Sequence, residues 1–336
     1  MPDTVHRIAL FGAGRIGSLH AANLYHHPNT ELAAVIDPDS EAAERVARRY
    51  GGLCSQAEDV WRDSSITAVF ICSATSTHAP LIEAAAQAGK HIFCEKPIDL
   101  DYARAYQCLE RVRAAQVHMV VGFNRRFDPT FRAMQQRIAA GDIGKACLLQ
   151  ITSRDPAPPP LAYLEHSGGL FKDMMIHDLD MACFLLAELP HRLSAQGSCL
   201  FDPAIAQLGD VDTAAVTLEF PSGALALISN SRYSSYGYDQ RIEVHGLQGM
   251  LQAENMLEHN LRHSNAKGSH QARVLHFFLE RYQAAYRDEL EHFVAVLNGQ
   301  SQPNPDGQAG VQALYLAEAA SRAQQTGQPQ KLEFPI

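Results

Sequence analysis

Short apolar runs alternate with longer stretches of helical periodicity along the opening part of the chain. Ile8–Gly12, Leu32–Asp37, Ala68–Ser73, His91–Cys94 and Met119–Gly122 read as strands. Arg15–His26, Ser40–Tyr50, Thr77–Ala88 and Tyr102–Ala115 read as the helices between them,. Ser40 stands where an N-cap is wanted,. The Ala68–Ser73 run is almost wholly apolar, the mark of a strand covered on both faces,. Strands and helices that alternate in this way predict a parallel sheet joined by right-handed crossovers.

Beyond Phe123 the rhythm changes. A helix over Pro129–Ala140 and a strand over Ala146–Ser153 come first. The proline-rich stretch Asp155–Leu161 is expected as an extended loop, since proline serves neither a ladder nor a helix interior,. A helix follows near Asp173–Leu186. Then Arg192–Leu200, Thr213–Phe220, Ala224–Arg232, Gln240–His245 and Met250–Glu254 read as consecutive strands, with Pro221-Ser222-Gly223 and Gly246–Gly249 as turns,. Such a meander predicts a mostly antiparallel sheet. Val274–Leu297 and Gly307–Gln325 are expected to close the chain as helices. The pattern predicts an α/β protein of two domains, residues 1–122 and 123–336, with the last helix able to pack back on the first.

Composition narrows the partners. At 336 residues the chain exceeds one ordinary core, in line with two domains,. A formal net charge of -9 argues against nucleic acid or an anionic membrane, which attract basic faces,. The seven cysteines, Cys54, Cys72, Cys94, Cys108, Cys147, Cys183 and Cys199, are odd in number and show no C-x-x-C pair. They are expected as free thiols in a reducing compartment. No run approaches the ~20 apolar residues of a membrane span. The segment ahead of Ile8 is polar and lacks the apolar core of a secretory signal, so a cytoplasmic location is expected,. His259, His263 and His270 lie in a polar stretch with no paired acid, and no metal site is expected.

Candidate chemistry begins at Gly12-Ala13-Gly14-Arg15-Ile16-Gly17, a G-x-G-x-x-G sequence that follows a strand and opens a helix. Asp37 ends the next strand, where the dinucleotide-binding Rossmann pattern needs an acid,. Gly12 is expected to make the tight turn, Gly14 to let a pyrophosphate approach the backbone, and Gly17 to let helix and strand pack closely. Asp37 would accept hydrogen bonds from the adenosine ribose and repel a 2′-phosphate. Pro38 and Asp39 follow it and supply no compensating cation, which favours NAD over NADP.

Asp173, His177 and Asp180 are spaced i, i+4, i+7 and share a helical face,. The rest of that helix is mostly apolar, so short acids beside a histidine point to a cleft rather than a solvent stripe. Cys94-Glu95-Lys96-Pro97 ends a strand of the first domain, where ligands of open α/β sheets bind,. This last segment resembles the E-K-P motif of the glucose–fructose oxidoreductase, inositol dehydrogenase and rhizopine catabolism family. The resemblance spreads to Gly122–Asp128, Ser153–Pro160, Ser167-Gly168-Gly169, Asp173–Asp180, Tyr236–Arg241 and Glu280–Tyr286, which look most like inositol 2-dehydrogenases. It implies a Rossmann domain, a second α/β domain with a large open sheet, a homotetramer built on that sheet, and Lys96, Asp173 and His177 as catalytic residues.

The expected reaction is oxidation of a secondary alcohol on a cyclic polyol, with hydride transfer to nicotinamide. His177 suits the general base, Asp173 would orient it, and Lys96 would stabilise charge on the reacting oxygen. Either His177 or Lys96 could take the proton first. The Lys96–Pro97 bond is a candidate for the cis form. Arg126, Asp155, Asp180, Tyr236 and Tyr282 are candidates for the remaining hydroxyls. Asn124, Ser73, Thr75, His78 and Glu95, with Arg15 and Ile16, are candidates for the cofactor. Cys183 stands where many relatives carry arginine, which bears on substrate preference. A dehydrogenase of another inositol isomer or an aldose, an NAD-retaining glycosidase, and a non-catalytic sugar sensor remain alternatives.

Overall fold

The structure, a computed structural model, describes residues 4–334. It divides into two compact units. One runs to Phe127 and takes in Ala284–Leu314; the other comprises Asp128–Gln283 and the segment from Tyr315. The division is therefore discontinuous, where the sequence pattern places a single crossing at Gly122. Packing explains the returned segment: Leu290, Phe293, Val294 and Val296 of the helix Gln283–Leu297 complete the core formed by Leu10, Phe70 and Phe93. The Phe70 and Phe93 rings stack at 4.4 Å, and Phe293 meets Phe70 edge-on at 5.4 Å.

The first unit holds a six-stranded sheet: β1 (His6–Phe11), β2 (Thr30–Ile36), β3 (Leu53–Cys54), β4 (Ile66–Ile71), β5 (His91–Glu95) and β6 (Met119–Gly122), in the order β3-β2-β1-β4-β5-β6. Every pairing is parallel. Strand order reverses between β1 and β4, and crevices of open α/β sheets open at such a switch point, beyond the carboxyl ends of the strands. The helix Ser40–Tyr50 is capped by Asp39 rather than Ser40: the Asp39 carboxylate accepts from Ala42 N at 3.1 Å.

The second unit is built on a seven-stranded sheet. Its strands are β7 (Ala146–Arg154), β8 (Arg192–Ser198), β9 (Thr213–Glu219), β10 (Leu225–Ser231), β11 (Asp239–Gly246) and β12 (Gly249–Ala253), and the sheet order is β12-β11-β7-β10-β9-β8 with a short edge strand at Gln330–Lys331. The expected antiparallel meander is present, but β7 and β10 pair in parallel. The parallel pair puts the carboxyl ends of β7 and β10 side by side, and the start of β11 joins them through the Asp239–Arg154 register.

Several elements differ from the sequence pattern. The polar stretch with His263 and His270 forms a hairpin, β13 (Arg262–Asn265) and β14 (Gly268–Gln271), in which these two histidines face each other across the strands. A helix at Leu161–Ser167 follows the proline loop. The helix expected from Val274 begins only at Phe278 and breaks at Tyr282. Val274 is held in a bridge with Leu257, and the Leu275 carbonyl accepts from Tyr238 N, so that backbone is already committed.

Asp128 both caps the helix Pro129–Ala139, accepting from Thr130 N and Phe131 N at 3.1 Å, and pairs with the buried Arg281 guanidinium. Arg281 also lies over the Phe131 and Tyr282 rings. Removing one partner of a buried pair strands the other charge, at about 3–5 kcal/mol. Arg281→Met is expected to lower stability at the bottom of that range, because Asp128 keeps its two amides. Urea unfolding checks this; an unchanged midpoint would refute the anchoring role of the pair.

Candidate active site

The three glycines of the loop differ in what surrounds them. Gly12 has φ +99°, and a Cβ there would lie 2.5 Å from the Cys72 backbone. A Cβ on Gly17 would overlap the Gly12 carbonyl oxygen. A Cβ on Gly14 would meet nothing within 4 Å. Two glycines are therefore closed by packing, while the middle one faces open space at the start of the helix Arg15–His26. Exposed Gly14 and Arg15 and half-buried Ile16 present that helix start outward, the arrangement a pyrophosphate fits. Asp37 also braces the backbone. Its Oδ2 accepts from Ala13 N at 2.6 Å and its Oδ1 from Asp39 N at 2.8 Å. The carboxylate thus clamps the glycine loop against the end of β2.

The other candidates of the first unit lie beyond β4, β5 and β6. Ser73 and Thr75 are half-buried around a short 3-10 turn, with Ser73 Oγ 2.6 Å from Thr77 Oγ1. His78 is taken out of reach of solvent. It is 1% exposed, with Nδ1 2.8 Å from the Pro97 carbonyl and Nε2 3.0 Å from the Ser73 carbonyl. Burial pushes its pKa below the usual imidazole value in spite of those two carbonyls. His78 therefore ties the E-K-P loop to β4 instead of lining an open surface. Glu95 is likewise turned inward, 2.8 Å from His20 Nε2. Beneath it, burial and then the Glu95 charge push the Glu289 carboxyl well above its usual range. Lys96 is half-buried, and the Lys96–Pro97 peptide is cis. Asn124 is buried in the turn Asn124–Phe127, and Arg126 Nη1 donates to Asn304 Oδ1 at 2.8 Å.

In the second unit the candidates gather at one end of the sheet. Asp155 follows β7 with its amide donating to the Ser231 carbonyl, and Tyr236 precedes β11. The helix expected from Asp173 has two parts: a π turn over Phe171–Met175 and an α-helix over Ile176–Leu186. Asp173 thus stands in a wide turn, a feature frequent at functional sites, and His177 and Asp180 stand in regular helix. His177 is half-buried and Asp180 is buried. Tyr236 donates to Asp239 Oδ2 at 2.6 Å and accepts from Arg154 Nη1 at 2.7 Å. Burial alone would raise the Asp239 pKa, but hydrogen bonds from Arg241, Tyr236 and Asn255 outweigh it and hold the carboxyl below its usual range. Tyr282 lies beneath the strand ends, 2% exposed, with its hydroxyl 3.4 Å from Gln240 Oε1.

Three residues that the sequence did not single out complete this end. Tyr163 donates to Asp173 Oδ1 at 2.8 Å. Arg232 Nη1 donates to Asp173 Oδ2 at 3.2 Å. Asp178, fully buried, accepts from Ser153 Oγ at 2.7 Å and Asn230 Nδ2 at 2.8 Å. Desolvation of the Tyr163 hydroxyl, then the Asp173 charge, push its pKa well above the usual phenol value, so it remains a donor. The helix turn that carries Tyr163 and the strand end before Arg232 hold no mark of these contacts in the sequence.

Family models match both halves of the chain. Residues 6–123 match the oxidoreductase family NAD-binding Rossmann fold, and residues 131–252 match the GFO/IDH/MocA C-terminal domain. The chain is 46% identical over 317 residues to an inositol 2-dehydrogenase of Rhizobium meliloti (strain 1021), covering 94% of this chain and 96% of that one. It is 42% identical to a myo-inositol 2-dehydrogenase of Thermotoga maritima, over 98% of this chain and 99% of that one. The crystal structure of a myo-inositol dehydrogenase from Corynebacterium glutamicum superposes with a TM-score of 0.94 at 44% identity, covering 98% and 100% of the two chains.

The glycine geometry separates two substitutions. Gly14→Ala is expected to leave thermal stability unchanged and to weaken NAD binding, because its Cβ enters only the space above the helix start. Gly17→Ala is expected to lower stability itself, because its Cβ collides with the Gly12 carbonyl. Thermal melts with and without NAD, and a fluorescence titration, distinguish the two; equal melting losses would overturn the division.

Proposed function

The chain belongs to the GFO/IDH/MocA oxidoreductase family, and we propose that it is an NAD-dependent inositol 2-dehydrogenase that takes myo-inositol, or a close isomer, to the corresponding ketone. The observation that carries this reading is the 46% identity, over nearly the whole chain, to an inositol 2-dehydrogenase. The glycine loop of the first unit and the acid–histidine helix of the second support it.

NAD supplies the hydride acceptor when bound. The remaining steps fall to side chains of this chain. His177 takes the hydroxyl proton, since an imidazole is the side chain best suited to exchange protons near neutrality. Asp173 orients that imidazole and stabilises its protonated form. Lys96 hydrogen-bonds the reacting oxygen and offsets the negative charge that develops there. Asp155, Asp180, Tyr236 and Arg126 recognise the other hydroxyls, and Tyr282 supports them through Gln240.

We also place the enzyme in the cytoplasm, as a homotetramer assembled on the outer face of the seven-stranded sheet. Among the described residues no helix is long and apolar enough to cross a membrane. Leu225 and Leu227 stand 43% and 40% exposed on one face of β10, apolar surface that a second copy would cover.

Purified protein with NAD and a panel of inositols and aldoses is expected to generate NADH absorbance fastest with myo-inositol. Lys96→Ala and His177→Ala are expected each to lower kcat by about 10²–10⁴-fold while NAD affinity changes little. Full activity in either variant removes that residue from the mechanism. Silence across the panel, with NAD retained and glycosides cleaved, would replace the dehydrogenase with a glycosidase. Light scattering should give a tetrameric mass; a monomer would refute the assembly.

A further inference from the structure

We propose that Arg232 is a positioning residue for the reaction: anchored on Asp210, it holds the Asp173 carboxylate in one orientation, with Tyr163 fixing the second oxygen. This rests on the reading that Asp173 and His177 serve catalysis. Nothing in the family match or in the sequence motifs gives Arg232, Asp210 or Tyr163 a role.

Arg232 follows β10, and its side chain is 0% exposed. Its backbone amide donates to the Asp212 carbonyl at 2.8 Å, which fixes where the side chain starts. Nη1 reaches Asp173 Oδ2 at 3.2 Å, and Nη2 stands 3.5 Å from Asp210 Oδ2. Asp210 is itself tied down: its Oδ1 accepts from Leu170 N at 2.9 Å and Val211 N at 2.8 Å. The backbone wraps this carboxylate so tightly that a Cβ on Gly169, where φ is +80°, would lie 2.8 Å from Asp210 Oδ1. The Ser167-Gly168-Gly169 motif is thereby explained as the turn that lets the chain pass Asp210 on its way to Asp173.

The chain of contacts runs from fixed amides to Asp210, to Arg232, to Asp173, with Tyr163 closing the far side. A planar guanidinium suits this role, because one arm hydrogen-bonds Asp173 while the other is ion-paired with Asp210, where an ammonium offers one rotatable point. Asp173 sits in a π turn, so backbone regularity alone does not aim its side chain. The aim comes from Arg232 and Tyr163, each of which takes a different carboxylate oxygen. An ionised carboxylate has about four acceptor sites, so these two donors do not saturate it.

Steady-state kinetics across pH test the proposal, with Arg232→Met, Arg232→Lys and Tyr163→Phe. Arg232→Met is expected to lower kcat roughly ten- to hundredfold, with NAD affinity unchanged, and to move the acid limb of kcat/KM to higher pH. The sign follows either way. Without the guanidinium, Asp173 takes up a proton more readily, or acts on the imidazolium with undiminished charge; both require a higher pH for the active form. Tyr163→Phe should move the limb the same way by less, and Arg232→Lys should restore part of the rate. In an Asp173→Asn background, Arg232→Met should cost nothing further.

A folded Arg232→Met enzyme with an unshifted profile overturns the proposal. So does a full Arg232→Met penalty in the Asp173→Asn background, which would make Arg232 a support of the fold alone. Full activity of Asp173→Asn by itself would instead refute the catalytic reading of Asp173, a result separable from the other two. If Arg232→Met fails to fold by circular dichroism, Tyr163→Phe and Arg232→Lys decide the matter, and unshifted profiles in both overturn it.

Discussion

One buried carboxylate sets how the second unit presents its chemistry. Asp178 is 0% exposed and accepts from Ser153 on β7 and Asn230 on β10. Those strands form the sheet's parallel pair, so the helix Ile176–Leu186 is fastened across two strands that only this pairing brings side by side. A helix turns about 100° per residue. With Asp178 directed into the sheet, His177 is carried round to a half-buried position. Loss of that carboxylate would leave Ser153 and Asn230 as buried donors without it, a cost that packing alone would not recover. The aim of the histidine is in this sense a consequence of the sheet topology.

The first unit gathers its groups by a different route. Its parallel strands bring the glycine loop, Asp37, the Ser73–Thr77 segment and the E-K-P loop to one edge of a sheet whose order reverses between β1 and β4. There, small residues and backbone do most of the shaping. Gly12 and Gly17 allow contacts that a Cβ would forbid, and Asp37 and His78 tie neighbouring loops together through amides and carbonyls. Asp37 braces its loop with both carboxylate oxygens. The amides of Ala13 and Asp39 take one acceptor site on each oxygen, and an ionised carboxylate has about four such sites.

Legibility in the sequence follows the distance over which a residue finds its partners. The glycine loop, Asp37 and the acid–histidine helix stand out as candidates because local spacing marks them, and Lys96 stands out only through the resemblance of its E-K-P segment. The cap Asp39 escapes because Ser40, one position on, satisfies the same local rule. The parallel pairing of β7 and β10 escapes because nearly 80 residues separate partners such as Ser153 and Asn230. Arg232 escapes for the same reason: it meets Asp173 across 59 residues of chain, and at the end of a strand an arginine ordinarily faces water,. The inward turn of Glu95 and His78 also has no local signal, since their partners lie 75 and 19 residues away. Burial of a polar side chain is a property of the assembled fold.

The donor and acceptor balance at the sheet end bears on what kind of molecule it suits. Tyr163 gives its proton to Asp173, and Tyr236 gives its own to Asp239 while accepting from Arg154. Toward a ligand both hydroxyls are therefore acceptors. Asp155, Asp173 and Asp180 add carboxylates, which accept whenever they are ionised. Such an end is rich in acceptors and carries negative charge that Arg232 and Arg154 offset only in part. It disfavours an anionic substrate, which would meet like charge, and an apolar one, which would leave polar groups desolvated without partners. A neutral molecule that presents hydroxyl protons in several directions from a rigid frame suits such an end, and a cyclic polyol, the substrate class proposed above, is one such molecule.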